Sequence, residues 1–191
     1  MMERFEIINR FVKKYKYKRY LEIGVDEGLA FKKIKIKHKV GVDPNGDTDY
    51  RMTSDEFFAQ TSENYDIIFI DGLHHSSQAD KDIQNALKHL NDGGTIILHD
   101  CNPLSEGHQR VPRVQTAWTG DVWKSIARLR NSAPDLEIYV VDTDCGCGVI
   151  RRGQQKLYSD PVEYTYEYLD AHRKELLNLI SADEFKKRIK Q

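Results

Sequence analysis

Tyr65-Asp66-Ile67-Ile68-Phe69-Ile70-Asp71-Gly72 is an unbroken apolar run that stops on an acid and a glycine. A continuous run, as opposed to an alternating one, predicts a strand buried on both faces of a parallel sheet. The pattern repeats outward from it. Residues 76–90 carry Ile83, Ala86, Leu87 and Leu90 at helical spacing, and Asn91-Asp92-Gly93-Gly94 interrupts them. Thr95-Ile96-Ile97-Leu98 is then a second buried run, ending at His99-Asp100. On the N-terminal side, Tyr20-Leu21-Glu22-Ile23-Gly24 and Val40-Gly41-Val42-Asp43-Pro44 read as two more strands, and Phe5, Ile8, Phe11, Val12 and Tyr15 mark one face of a helix over about 3–16. Continuous strands separated by helices predict an α/β fold: a three-layer, doubly wound, mostly parallel sheet. Further along, 121–129 reads as a helix capped by Asp121, with Trp123 and Ile126 inward. Residues 137–142 and 148–151 read as strands joined by Cys145-Gly146-Cys147, a connection short enough for an antiparallel edge hairpin.

The whole chain, 1–191, reads as a single domain with its core over about 18–151. A helical extension is expected over about 161–189. Its Tyr164, Leu169, Leu176 and Ile180 need cover, either from the sheet or from the second subunit of a homodimer. Apolar residues make up 39% and charged residues 31%, with 29 Lys and Arg against 30 Asp and Glu. A formal net charge of -1 argues against a general nucleic-acid binder, which needs a basic face. No apolar run approaches the roughly 18 residues of a membrane span. The basic segment 1–20 lacks the apolar stretch of a signal peptide, and three cysteines, an odd number, fit a reducing cytoplasm. Cys145 and Cys147 read as buried strand residues, since one such pair is a weak metal signal.

Ligands of doubly wound sheets sit at the carboxyl ends of the strands. After the first strand stands Glu22-Ile23-Gly24-Val25-Asp26-Glu27-Gly28. Gly24 permits a tight turn and Gly28 a close approach. The spacing is not that of a dinucleotide pyrophosphate site, and Asp26 favours a ligand with a cationic end. Asp43 stands 19 residues on from Gly24, where an acid meets ribose hydroxyls in nucleoside-binding sheets. Both features also have plain structural readings, because glycine turns occur in any α/β unit and Asp before Pro starts turns.

From about Tyr20 to Ile150 the chain resembles the class I S-adenosylmethionine-dependent methyltransferases, in the branch called methyltransferase family 24. The residues that carry the resemblance are Leu21 to Gly28, Val40-Gly41-Val42-Asp43, Phe69-Ile70-Asp71-Gly72-Leu73-His74, Gly93-Gly94-Thr95-Ile96-Ile97-Leu98-His99-Asp100 and Gly120-Asp121-Val122-Trp123-Lys124. The resemblance implies a seven-stranded Rossmann-like sheet and an enzyme that uses S-adenosylmethionine. Glu22, Gly24, Asp26 and Gly28 would lie under the methionine part, with Glu22 near its amino group, and Asp43 would take the ribose. Thr53-Ser54-Asp55, after a short third strand, would lie along the adenine, with Ser54 the contact. Thr53 followed by Glu56 is also a capping-box pattern, which explains that stretch without a ligand. Asp71 would stand where donor and acceptor meet.

Methyl transfer needs in-line positioning, and an alcohol acceptor also needs a base or a metal. Asp71, His74, His75, His99 and Asp100 cluster at two strand ends. Relatives with sugar or catechol acceptors hold a divalent cation such as Mg on acids at these ends, which makes Asp71, His99 and Asp100 the metal candidates. Leu73 stands where many relatives carry a basic-acting Asp, so His74 is the expected base, with Asp71 and His99 beside it. His75 reads as a helix cap. The irregular stretch 101–117 is expected to lie over the acceptor as a lid, with His108, Arg110 and Arg113 available to an anionic group. The expected function is O-methylation of a small-molecule or glycan hydroxyl in the cytoplasm, with no membrane or nucleic-acid partner. Two alternatives stay open: a nucleoside-binding module of the same fold without turnover, and a methyltransferase-like protein that binds RNA through the basic runs 13–19 and 32–39.

Overall fold

The computed structural model describes residues 2–46 and 48–190. Its sheet has seven strands in the order β2-β1-β3-β4-β6-β5-β7. The strands are β1 (Arg19–Ile23), β2 (His38–Val42), β3 (Tyr65–Ile70), β4 (Leu90–Leu98), β5 (Leu136–Asp142), β6 (Cys147–Arg152) and β7 (Leu179–Ser181). All run parallel except β6, which lies antiparallel between β4 and β5. The doubly wound, mostly parallel architecture expected from the apolar runs is therefore present. Two details differ. The short third strand expected before Thr53 is a single bridge, Val42 to Tyr50. The seventh strand comes instead from the C-terminal segment, where β7 pairs with β5 outside the hairpin.

Side chains alternate across each strand and bury on both faces. Ile67 and Phe69 point to one layer with Tyr20, Ile97, Tyr139 and Val149. That layer is completed by α1 (Arg4–Tyr15) and α7 (Ala182–Lys190), through Ile7, Ile8, Phe11, Val12, Phe185 and Ile189. Ile68 and Ile70 point the other way, against α2 (Ser54–Gln60), α3 (Ser76–Lys88), α5 (Trp123–Ser132) and α6 (Tyr166–Leu176). The α1 helix starts with a capping box between Glu3 and Glu6. The C-terminal segment thus packs back on the sheet as helix, strand and helix, and the apolar residues Leu169 and Leu176 that suggested a subunit contact are buried within the chain.

Helix α3 ends at Lys88, but β4 already begins at Leu90, so Asn91-Asp92-Gly93-Gly94 is an irregular lead-in to the strand and not a separate loop. The register beside it shifts between Tyr65 and Ile67. Asp121 does not cap α5, whose N-cap position is Val122. Its carboxylate reaches across to α3 and accepts from the Ser76 backbone N–H at 2.7 Å and from the Ser76 hydroxyl at 3.1 Å. His75 occupies the N-cap position of α3, but its side chain makes no capping bond there, so Asp121 caps the helix in its place. Among the described residues no helix is long and apolar enough to cross a membrane.

Candidate active site

The chain crosses from β1 out to β2 and then back over β1 to β3 on its other side, and a cavity of about 990 Å³ opens at that switch point. This is the upper end of the range for small-molecule sites. One wall holds Glu22, Gly24 and Asp26 beyond β1, Asp43 beyond β2, and Thr53, Ser54 and Asp55 at the start of α2. The opposite wall holds Asp71, Leu73 and His74 beyond β3, with His99 and Asp100 beyond β4. All the expected donor-binding residues line it except Gly28, whose Cα faces the Lys32 side chain.

Gly24 adopts φ +84°, and a Cβ there would lie 2.1 Å from the Asp71 carbonyl oxygen. The glycine is thus needed where two strand ends cross, which places Asp71 against the first turn. Asp26, at φ +49°, turns its N–H to Asp43 Oδ2 at 2.9 Å. Asp43 Oδ1 accepts from the Asn45 and Gly46 N–H groups at 2.8 and 2.9 Å. Partial burial works against its charge, yet these backbone donors hold its carboxyl below the ordinary carboxylate value. Thr53 caps α2 through the expected box with Glu56, while Ser54 Oγ accepts from Gln78 Nε2 at 3.2 Å. Capping and cavity lining therefore coincide in that stretch.

Glu22 is almost fully buried and accepts from the Tyr20 hydroxyl. Burial, with the Asp71 charge nearby, pushes its carboxyl up to about 8 from an ordinary 4.5. The native state therefore keeps a proton between those values that the unfolded chain releases, so stability falls as pH rises through that window. Glu22→Gln is expected to abolish the slope and to be more stable than the parent at pH 8 by about 2 kcal/mol. Urea midpoints at pH 5 and pH 8 read this directly, and an unchanged slope in the variant would reassign the effect.

The facing wall is a compact cluster of acids and histidines. Asp71 Oδ1 lies 3.2 Å from His99 Nδ1 and 3.5 Å from His74 Nε2. Asp100 Oδ2 lies 3.1 Å from His74 Nδ1, and its Oδ1 lies 3.2 Å from His99 Nδ1. Neither ring nitrogen of His99 finds an aligned hydrogen-bond partner among the described residues, so its attraction to the acids is electrostatic. Burial opposes charge on His99, but Asp71, Asp100 and Asp144 outweigh it and keep the imidazolium. Burial likewise opposes charge on Asp71, and His99, His74 and Arg4 together hold it ionised well below the ordinary carboxylate range. Asp100 adopts φ +61°, a left-handed conformation that costs a non-glycine residue about 1–2 kcal/mol. His74 stacks on Trp118 with ring centroids 5.2 Å apart.

Residues 37–101 match the profile of a family described as Methyltransferase domain, methyltransferase family 24. That match spans about a third of the chain and contains Asp43, Ser54, Asp71, His74, His99 and Asp100. Similar solved structures include the S-adenosylhomocysteine-bound methyltransferase PaMTH1 of Podospora anserina, 19% identical, covering 81% of this chain and 80% of that one with a TM-score of 0.58. An O-methyltransferase of Bacillus cereus, in complex with S-adenosylhomocysteine, is 13% identical over 76% and 79% of the two chains, TM-score 0.56. The O-methyltransferase TomG of Streptomyces achromogenes, in complex with S-adenosylmethionine, is 12% identical over 77% and 78%, TM-score 0.54. The chain has the class I methyltransferase fold, with a family 24 match at its centre. No curated protein sequence matches significantly.

Within this methyltransferase fold, two cluster members were not expected from the sequence. Arg4, on the first turn of α1, donates from Nη1 to Asp71 Oδ2 at 2.7 Å. Asp144, in the β5–β6 turn, lies 3.5 Å from His99 Nε2 and binds Arg4. Arg4 is one cation in a basic N-terminal segment, so no spacing marks it, whereas Asp144 stands two residues past β5 as Asp100 does past β4, a position that could have signalled it. Of the expected metal candidates, Asp71 and Asp100 join His74 in a group whose ligand atoms lie within 4.8 Å of one another. His99 is buried beside them, its Nδ1 3.2 Å from both acids and its Nε2 3.5 Å from Asp144. In the stretch 101–117, only α4 (Glu106–Gln109) is helical. Arg113 binds the Gln115 and Thr116 carbonyls of its own loop, and none of His108, Arg110 and Arg113 lines the cavity. Trp118 does line it. Cys147 is buried as expected, but Cys145 is exposed in the turn and lines the cavity.

Proposed function

We propose that the protein is an S-adenosylmethionine-dependent O-methyltransferase acting on a small-molecule or glycan hydroxyl. The observation that supports this most is the single cavity that joins Glu22, Asp43 and Ser54 on one wall to Asp71, His74 and Asp100 on the other. The first wall offers the Glu22 carboxyl to an amino group and the Asp43 carboxylate to ribose hydroxyls, with Ser54 beside the adenine. The second holds a base where the sulfonium methyl meets the acceptor. Most of the rate comes from holding the hydroxyl in line with the methyl in a site shielded from water. His74 removes the acceptor proton, and Asp71 and Asp100 orient its ring and stabilise its charged form.

Asp71, His74 and Asp100 also fit a divalent cation by donor type and spacing. A divalent ion bound there would polarise the acceptor oxygen, but Arg4 Nη1 already engages Asp71 Oδ2 at 2.7 Å. Three free cysteines among the described residues suit the cytoplasm.

Calorimetric titration with S-adenosylmethionine and S-adenosylhomocysteine tests the donor site. Micromolar binding of both is expected, weakened at least about tenfold by Asp43→Ala, since a lost charged hydrogen bond costs about 1.5–3 kcal/mol. Absence of heat from a folded sample would remove the methyltransferase reading. Donor binding without turnover on any acceptor would favour the nucleoside-binding module.

A further inference from the structure

We propose that Arg4 is a built-in counter-cation of the catalytic centre, filling the electrostatic place of a divalent ion and holding the Asp71–His74–Asp100 set closed to one. This rests on reading that cluster as the reaction centre. The guanidinium forms a bridge between two acids. Nη1 donates to Asp71 Oδ2 at 2.7 Å, while Nε and Nη2 donate to Asp144 at 3.0 and 3.3 Å. The Arg4 backbone N–H also donates to Asp144 Oδ2, at 2.8 Å. Just before it, the Thr143 hydroxyl donates to the Met2 carbonyl at 2.6 Å. Residues 2–4 are thus tied to the β5–β6 turn by backbone and side chain alike, and α1 behind them is anchored by its buried face. A planar fork fixed in this way loses little entropy when it engages a carboxylate.

The placement decides what Asp71 can do. Its Oδ1 faces His74 and His99, and its Oδ2 faces Arg4. Both oxygens are occupied by positive or proton-bearing groups. The three acids Asp71, Asp100 and Asp144 are met by Arg4, His99 and His74, so the cluster has countercharge within the chain. A divalent ion brought to Asp71, His74 and Asp100 must displace or face a guanidinium already bound to Asp71, and repulsion at that range is large in a partly buried site. Arg4 lines the same cavity as Asp71, so its guanidinium is present at the face an incoming ion would meet.

The test uses Mn²⁺ alone, with free ion counted by electron paramagnetic resonance, on the full chain and its variants. Wild type and Arg4→Lys are expected to bind weakly. Arg4→Ala is expected to bind at least about tenfold tighter, and adding Asp100→Asn to it should erase the gain. Asp144→Asn, which frees the fork, should give a smaller gain in the same direction. Arg4→Gln removes the charge while keeping hydrogen-bonding capacity, and it supplies the same comparison where the alanine variant does not fold. Equal Mn²⁺ affinity in wild type and both neutral variants would overturn the proposal, as would a gain that survives Asp100→Asn. The comparison decides on Arg4 whether or not wild type binds S-adenosylmethionine, so failure of the donor reading shows separately.

Discussion

His74→Ala is expected to slow methyl transfer by about two to four orders of magnitude, the usual contribution of a positioned base. Donor affinity should stay within about threefold, because donor recognition is assigned to the opposite wall. His74 lies within 3.5 Å of both Asp71 and Asp100 and lines the cavity with its ring against Trp118. Burial opposes its charge, but the two acids raise its proton affinity above the ordinary imidazole value of 6.5. As a base it must first lose that proton, so the rate should climb with pH along a limb above 6.5. The alanine variant should lack that limb. His74→Asn keeps polarity without basicity and should not restore the rate. A variant that retains the limb and most of the rate would move the base to Asp71 or Asp100.

Gly24→Ala is expected to destabilise the fold by about 3–5 kcal/mol, combining left-handed strain with overpacking. The added methyl would sit 2.1 Å from the Asp71 carbonyl oxygen and 2.5 Å from its carbonyl carbon. Both atoms are backbone at the end of a central strand, so neither can give way cheaply. Any relief must push the β3 end from the β1 turn, which moves Asp71 relative to Glu22 and weakens donor binding as well. Urea unfolding measures the first effect and calorimetry the second. A stability loss under about 1 kcal/mol would mean that the turn can relax in a way this geometry does not suggest.

The sequence reveals the strands because a strand buried on both faces leaves a run with no polar alternation, as at Ile67 to Ile70. It reveals Asp71 and Asp100 because acids directly after such runs stand at the ligand-binding edge. Arg4 and Asp144 are different. Their meeting depends on how α1 docks against a turn 140 residues away, and no local period encodes that. Asp121 carries the same lesson, since its spacing suits a cap for the following helix while its carboxylate caps α3 instead. Strand β7 was hidden for a thermodynamic reason. At three residues it is too short for its own pattern to register, and it is held by pairing with β5 and by Leu179 and Ile180 packing on the two core layers.

The contact between α1 and α7 has a bearing on the order in which the site forms. Phe11 packs on Phe185 with ring centroids 5.7 Å apart, and Lys14 Nζ donates to the Arg188 carbonyl. The helix that delivers Arg4 to Asp71 is thus covered by α7, which lies far downstream of it in the chain. During translation the strands from β1 to β4 can pair as they emerge, with their helices filling one face. Arg4 waits for Asp144, and α1 waits for Phe185, so both take their places only after distant segments have arrived. Such long loop closures are slow steps in folding. The Arg4 bridge therefore forms late, only in molecules whose β5–β6 turn and α7 are already in place.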